Sequence, residues 1–200
     1  MKTYKIDNSF IFVHNPKTGG KSVWNALGVR QSKNRPTHLP LNCTEYPKDA
    51  FTFGFVRNPW DRMLSFYHYM CQRQKKPKDS YNKEEINEIG FKKWLFEYNY
   101  HFFEDRVNPT NNWGIPLKVP FQQRSQMHWL DGCKFIGRFE RLQEDLNVAA
   151  NLGGFKVAKL LHKNKSIHKQ YTEYYDDESI AFIKKHFSHE IVLFRYRYGD

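Results

Sequence analysis

The chain has 200 residues, of which 32 are lysine or arginine and 21 are aspartate or glutamate, so its formal net charge is +11. Hydrophobic residues make up 40% of the chain, which suffices for a packed core and excludes an intrinsically disordered protein. The excess positive charge predicts an anionic partner, and charge alone leaves open a nucleotide, a nucleic acid, an acidic glycan or a membrane surface.

The first predicted elements are a strand, a turn and a helix. Residues 10–14 predict a short buried strand, because a run of apolar residues precedes the pair Asn15-Pro16. The two glycines at 19–20 predict a turn, and a helix is expected over 21–27. Residues 28–50 are polar and contain three prolines, so they predict a loop.

The same order is repeated further along the chain. Residues 51–56 are rich in aromatic and β-branched residues and predict a second strand. Pro59 suits the first position of a helix. Apolar residues recur behind it at helical spacing and predict a core-facing stripe: Trp60, Met63, Leu64, Tyr67 and Cys71. After a lysine-rich connection at 73–83, another helix is expected over 84–98.

The C-terminal half predicts one more strand and two helices. Residues 99–127 carry several prolines and predict a long irregular excursion, a kind of loop that is usually functional or disordered. A third strand is expected over 134–138. A helix follows that is marked by apolar residues at helical spacing and ended by Gly153-Gly154: Leu142, Leu146, Ala149 and Leu152. A basic loop over 155–172 leads to one amphipathic helix over 176–194.

The alternation of strands and helices predicts an α/β fold. We expect a single P-loop-like domain over 1–200, with a mainly parallel central sheet flanked by helices. In such sheets ligands bind where the carboxyl ends of strands meet the first turns of helices.

Three cysteines, Cys43, Cys71 and Cys133, are far apart and form no CxxC pair. This spacing argues against a disulfide framework and against a zinc site. No apolar run is long enough for a membrane span or for the hydrophobic part of a signal peptide. The sequence therefore predicts a reduced, cytoplasmic protein with no integral membrane segment.

The first strand–helix junction has the sequence KTGGKS over 17–22. Glycines let backbone N–H groups close around phosphate oxygens, and two lysines and two hydroxyls add donors. The segment is close to a Walker A loop, GxxxxGK(S/T), but Asn15 stands where that motif has its first glycine. The third strand also ends in Arg138 rather than in an aspartate that holds Mg²⁺. A P-loop nucleotide-dependent kinase therefore remains as the alternative.

The second junction, FGFVRNPWDRMLSFY, places Arg57 at a strand end and Ser65 two turns into the helix, off its apolar stripe. The planar guanidinium of Arg57 suits a second phosphate, although a salt bridge to a carboxylate is an open alternative. Two phosphate sites at adjacent strand ends imply a ligand with two separated phosphates.

These motifs resemble the sulfotransferases that use 3′-phosphoadenosine 5′-phosphosulfate (PAPS), in the branch of heparan-sulfate-type and related bacterial carbohydrate enzymes. IFVHNPKTGGKS is similar to that family's 5′-phosphosulfate loop, and FGFVRNPWDRMLSFY to its 3′-phosphate motif. FIGRFERLQEDL and NKSIHKQYTEYYDDE are similar to its C-terminal half. The resemblance covers 10–198 and implies transfer of a sulfuryl group from PAPS to an acceptor hydroxyl, on a carbohydrate.

The resemblance also implies residue roles. Lys17 would contact the 5′-phosphosulfate and stabilise the leaving phosphate, while Arg57 and Ser65 would hold the 3′-phosphate. The cradle around the phosphosulfate would consist of Thr18, Gly19, Gly20 and Ser22. Lys165 and Ser166, in a basic loop, would close over the nucleotide. Lys21 departs from the family pattern, which usually has threonine there, and would either add a cation to the cofactor site or point to solvent.

Transfer requires a base that takes the acceptor's proton, and histidine has a suitable pKa. His38 is the candidate, since relatives carry a catalytic histidine in this stretch, while His14, His68 and His128 are weaker ones. No metal is expected, because lysine and arginine supply the positive charge that Mg²⁺ would otherwise provide.

The acceptor side is less defined by the sequence. The basic run at 73–83 is either a solvated connection or a means of recruiting an anionic glycan. The excursion over 99–127 is a candidate wall of the acceptor cleft. A nucleic-acid-binding module is a third alternative, but the sequence carries no RNP, helix-turn-helix or zinc signature. We therefore expect a nucleotide cosubstrate and no nucleic-acid partner.

Overall fold

The structure is a computed structural model. It describes residues 5–7, 10–29, 38, 40–43, 46–72, 83–98, 120–161 and 169–200. The chain divides into two compact units. The first unit contains the described residues of 1–57 and 126–165, and the second those of 58–102, 119–125 and 166–200. A single domain over 1–200 stays a prediction.

The first unit is built on a sheet whose strand order is β1-β2-β3-β4. Its strands are β1 (Lys5–Asp7), β2 (Phe10–Val13), β3 (Phe51–Val56) and β4 (Phe135–Arg138). β2 pairs parallel to β3, β3 pairs parallel to β4, and β1 joins the edge antiparallel to β2. The predicted α/β fold with a mainly parallel sheet is therefore confirmed.

The part of the chain that the structure describes holds seven α-helices. They are α1 (Gly20–Ala26), α2 (Pro59–Gln72), α3 (Lys83–Glu97), α4 (Met127–Leu130), α5 (Leu142–Gly153), α6 (Asp177–His186) and α7 (Ser188–Leu193). α1 and α5 belong to the first unit together with the short α4, and the other four belong to the second unit. The predicted start of α2 at Pro59 is confirmed.

An aromatic core fixes the strands of the first unit. Phe10, Phe12 and Phe53 are at most 4% exposed, and they pack with residues of α1 and α5. The ring of Phe12 meets the ring of Trp24 edge-on at a centroid distance of 5.0 Å. Because β2 and β3 are buried along their lengths, their carboxyl ends are held at fixed positions. In α5, Leu146 and Ala149 are buried, whereas Leu152 is 63% exposed.

The second unit is helical in its described residues. The predicted stripe of α2 packs on α3, and the rings of Tyr67 and Phe91 meet edge-on at 5.4 Å. α3 is interrupted at Gly90, whose φ of 74° suits a residue without a Cβ. The single helix predicted over 176–194 is two helices, because the chain leaves helical geometry at Phe187.

Candidate functional site

The loop that follows β2 has an unusual backbone. Lys17 and Gly19 both adopt positive φ angles, 69° and 76°. Only glycine fits at 19, since a Cβ there would also lie 2.7 Å from a methyl carbon of Leu142. At Gly20 a Cβ would overlap the imidazole of His14. For lysine a positive φ is costly, and strain of this kind concentrates at functional sites.

Hydrogen bonds within the loop hold this backbone in place. The buried hydroxyl of Thr18 donates to the carbonyl oxygen of Asn15 at 2.8 Å. The N–H of Ser22 donates to the carbonyl of Gly19 at 2.9 Å and closes the first turn of α1. The Thr18 side chain therefore fixes the conformation of the loop, and the loop leads directly into the first turn of α1.

Lys17 is a partly buried cation. Burial lowers the pKa of its ammonium group from 10.5 to about 7, and the neighbouring cations Arg57 and Lys21 lower it further in the same direction. Lys21 itself is exposed. An anion bound beside Lys17 would favour the charged ammonium and would raise this pKa again.

Arg57 stands at the end of β3 and reaches the loop. Its guanidinium donates to the carbonyl oxygen of Lys17 at 3.1 Å and lies over the ring of Phe139 at 4.1 Å. Phe139 also backs the loop, because a Cβ on Gly19 would lie 3.1 Å from its ring. The first unit thus brings together the two cations that the sequence assigns to two phosphates, Lys17 and Arg57.

Two buried side-chain amides, those of Asn15 and Gln126, connect the carboxyl ends of β2 and β3. Neither was predicted as a site residue from the sequence. The Nδ2 of Asn15 donates to the carbonyl of Phe55 at 2.9 Å and to Oε1 of Gln126 at 3.0 Å. Gln126 also accepts from the N–H of Arg57 at 2.9 Å and donates to its carbonyl at 2.8 Å. Asn15 was visible as a departure from the Walker A motif, but no local signal marks Gln126, which lies 111 residues from Asn15.

His38 lies beside the loop, close to His14. Their rings are 4.2 Å apart, and Nδ1 of His38 is 3.1 Å from the carbonyl oxygen of His14. Because a carbonyl oxygen only accepts, Nδ1 carries the hydrogen in this bond and Nε2 keeps its lone pair. The indole N–H of Trp129 donates to the carbonyl of His38 at 3.1 Å and holds its backbone. In this tautomer Nε2 of the imidazole can accept a proton and so act as a base.

The other predicted residues are assigned to their elements as follows. Ser65 and His68 are in α2 of the second unit, and Ser65 is 8% exposed, although the sequence places it off the apolar stripe. His128 is in α4. Lys165 and Ser166 lie outside the described residues. Most of the basic run and of the 99–127 excursion also lies outside them, so their roles stay predictions.

Among the described residues no helix is both long and apolar enough to traverse a bilayer. The same residues contain no cluster of three or more histidine, cysteine, aspartate or glutamate side chains arranged to hold a metal ion. The cytoplasmic location and the independence from metal stay predictions.

The chain matches a known protein family. Residues 3–197 match the model of the sulfotransferase family, so the match includes the loop, both strand ends and all described helices. No protein with a curated description matches the chain.

Proposed function

The chain belongs to the sulfotransferase family, and from this premise we propose that it transfers a sulfuryl group from PAPS to an acceptor hydroxyl of a carbohydrate. The family supports sulfate transfer as the activity. The donor, the acceptor and the roles of single residues are part of our proposal.

One observation carries the choice of donor. Lys17 and Arg57 stand after neighbouring parallel strands, and a hydrogen bond of 3.1 Å joins the Arg57 guanidinium to the Lys17 carbonyl. PAPS has a phosphosulfate on its 5′ side and a separate phosphate at its 3′ position. Lys17 would neutralise the first, and the remaining donors of the Arg57 guanidinium would bind the second.

The rest of the loop supports the phosphosulfate end. Lys17 and Gly19 have positive φ angles, and backbone in left-handed conformations is a recurrent part of backbone anion sites. Gly20 and Ser22 lie in the first turn of α1, where N–H groups favour negative charge. Lys21, which is exposed in the same turn, would add a further positive charge to this cradle.

The reaction is an in-line displacement at sulfur. The bond from the acceptor oxygen to sulfur forms while the bond from sulfur to the 5′-phosphate oxygen breaks. His38 Nε2 takes the acceptor's proton, and the charge that develops on the departing adenosine 3′,5′-bisphosphate is stabilised by Lys17. The chain's own groups thus serve as base, leaving-group stabiliser and positioning frame.

An anionic glycan is the proposed acceptor. The net charge of +11 exceeds what one nucleotide needs, and lysines such as Lys156 and Lys159 are exposed in the first unit. Such a surface attracts a polyanion over a long range. The kinase and nucleic-acid alternatives receive no support from the family match.

Thermal unfolding with three ligands tests the proposal. Adenosine 3′,5′-bisphosphate at about 100 times its Kd should raise the free energy of unfolding by about 2.7 kcal/mol. Mg²⁺-ATP or an oligonucleotide should stabilise the protein much less. Stabilisation by Mg²⁺-ATP alone would refute the choice of donor.

The acceptor class is tested by transfer of labelled sulfate from PAPS to sulfated glycans, neutral glycans and phenols, with the sulfated glycans expected to react fastest.

A further inference from the structure

The two buried amides of the first unit, Asn15 and Gln126, lie just beyond the point where the backbone pairing of β2 with β3 ends. Backbone pairing of β2 with β3 runs from Phe10 opposite Phe51 to Val13 opposite Gly54 and ends there. The N–H of Asn15 turns back to the carbonyl of Val13 at 3.1 Å. Beyond this point the strand ends are joined by the side chain of Asn15, which donates to the Phe55 carbonyl.

Gln126 binds both strand ends with one amide group. Its Oε1 accepts from Asn15 and from the Arg57 N–H, while its Nε2 donates to the Arg57 carbonyl. Both polar groups of the Arg57 residue's backbone are therefore held by one side chain. Asn15 and Gln126 are each 0% exposed, so loss of either amide would leave buried polar partners without a replacement from water.

The amides act on the residues that bind the nucleotide. Asn15 lies two residues before Lys17, and its carbonyl is the acceptor of the Thr18 hydroxyl that braces the loop. Gln126 sets the backbone from which the Arg57 guanidinium reaches the Lys17 carbonyl. Movement at either amide would change the distance between the loop and the Arg57 guanidinium.

We propose that Asn15 and Gln126 form an amide clamp that sets the spacing of the Lys17 loop and Arg57, so that one nucleotide engages both through its 5′ and 3′ phosphates. The clamp rests on the proposed function, because it presumes a nucleotide with two phosphates. Its two members are positioning residues and touch neither substrate. They determine specificity for 3′,5′-bisphosphates over 5′-monophosphates.

Calorimetric titration with two nucleotides tests the clamp. Adenosine 3′,5′-bisphosphate uses both phosphate positions, whereas adenosine 5′-monophosphate uses only the loop. In Gln126→Met, which keeps the side-chain length and removes the amide, the preference for the bisphosphate should fall at least about tenfold. Asn15→Val, which leaves Gln126 bonded to Arg57, should lower the preference about threefold and carries the test if Gln126→Met does not fold. The double variant should lose no more preference than Gln126→Met alone, because the two amides act as one unit.

A matched control separates positioning from stability. Gln143 of the first unit also accepts a backbone N–H, that of Leu160 at 2.7 Å, but it contacts neither strand end. Gln143→Met should lower the melting temperature and leave the nucleotide preference within about twofold. An equal loss of affinity for both nucleotides in Gln126→Met, or an unchanged preference, would overturn the clamp. A wild-type protein without any preference for the bisphosphate would overturn the proposed function itself, and the clamp with it.

Discussion

The carboxyl ends of the parallel strands are held in two different ways. After β2 and β3, groups from distant parts of the chain meet, since Asn15 binds Gln126 across 111 residues and Arg57 binds Lys17 across 40. After β4, the N–H of Arg138 donates to the Asp145 carboxylate only 7 residues further on, at 2.6 Å. Long-range bonds bring the first two strand ends together, whereas the bond at the third end is local and the next residue, Phe139, supports the Arg57 guanidinium with its ring. Chemistry is therefore expected at the first two ends, and a structural role at the third.

The largest effect is expected at the base. His38→Ala should lower kcat by about 10²- to 10⁴-fold, because the acceptor's proton would lose its recipient. Affinity for adenosine 3′,5′-bisphosphate should stay unchanged, which calorimetry would check beside initial rates with labelled PAPS. His189→Ala, at an exposed histidine of α7, is the matched control. Full activity in His38→Ala would refute the assignment of the base.

The next effect is expected at the loop cation. Lys17→Ala should reduce kcat by about 10²- to 10³-fold, because the leaving phosphate would lose its stabilising charge. Lys184→Ala, at an exposed lysine of the second unit, should leave the rate unchanged. A Lys17→Ala enzyme that keeps its kcat and only raises KM would show that this lysine binds the donor without acting in the transition state.

The lowered pKa of Lys17 predicts pH-dependent binding. Its ammonium has a pKa of about 7 in the free protein, and the anionic nucleotide raises that pKa, so binding takes up a proton near neutral pH. Affinity for the bisphosphate should therefore be highest below pH 7 and should fall as the pH rises above it, by at most about tenfold per pH unit.

Titrations in buffers of different ionisation enthalpy measure this proton uptake, and Lys17→Met should abolish the part that belongs to the lysine. In the protein without nucleotide, the contribution of Lys17 to stability should change with pH in the direction opposite to the nucleotide affinity. The unfolded state binds the lysine proton up to pH 10.5 and the folded state only up to about 7, so the contribution of Lys17 to stability rises with pH between these values. Equal proton uptake by wild type and Lys17→Met would contradict this account.

The smallest effect on binding is expected at the third strand end. Asp145→Ala should lower the free energy of unfolding by about 1 to 3 kcal/mol, because the Arg138 N–H would lose its acceptor in a mostly buried place. Nucleotide affinity should stay within about twofold of wild type. A large loss of affinity with little loss of stability in a urea titration would place this strand end in the nucleotide site as well.

Local patterns in the sequence were sufficient to predict the strand and the helix on either side of Arg57. The bounds of β3 and the start of α2 could be predicted because aromatic and β-branched residues, followed by Pro59, specify them within a few positions. Strand β1 could not be predicted, since three residues with two charges, Lys5–Asp7, form a strand only by pairing with β2.

The residues of the candidate site could be picked out from the sequence only where they lie in contiguous motifs. Lys17 and Arg57 stand at recognisable strand–helix junctions. Gln126 has no such context, because its function depends on hydrogen bonds to residues 69 and 111 positions away. The tautomer of His38 likewise depends on the carbonyl of His14, which is 24 residues earlier in the chain. Contacts of this kind arise from tertiary structure and leave no periodic pattern.

The central claim is that Lys17 and Arg57 bind the two phosphates of one nucleotide, and calorimetry on wild type and Arg57→Ala tests it most directly. Wild type should bind adenosine 3′,5′-bisphosphate at least about tenfold more tightly than adenosine 5′-monophosphate, because a charged hydrogen bond to the 3′-phosphate adds to binding. Arg57→Ala should remove this preference while retaining affinity for the monophosphate. Equal affinities in wild type, or a preference that survives in Arg57→Ala, would contradict the account.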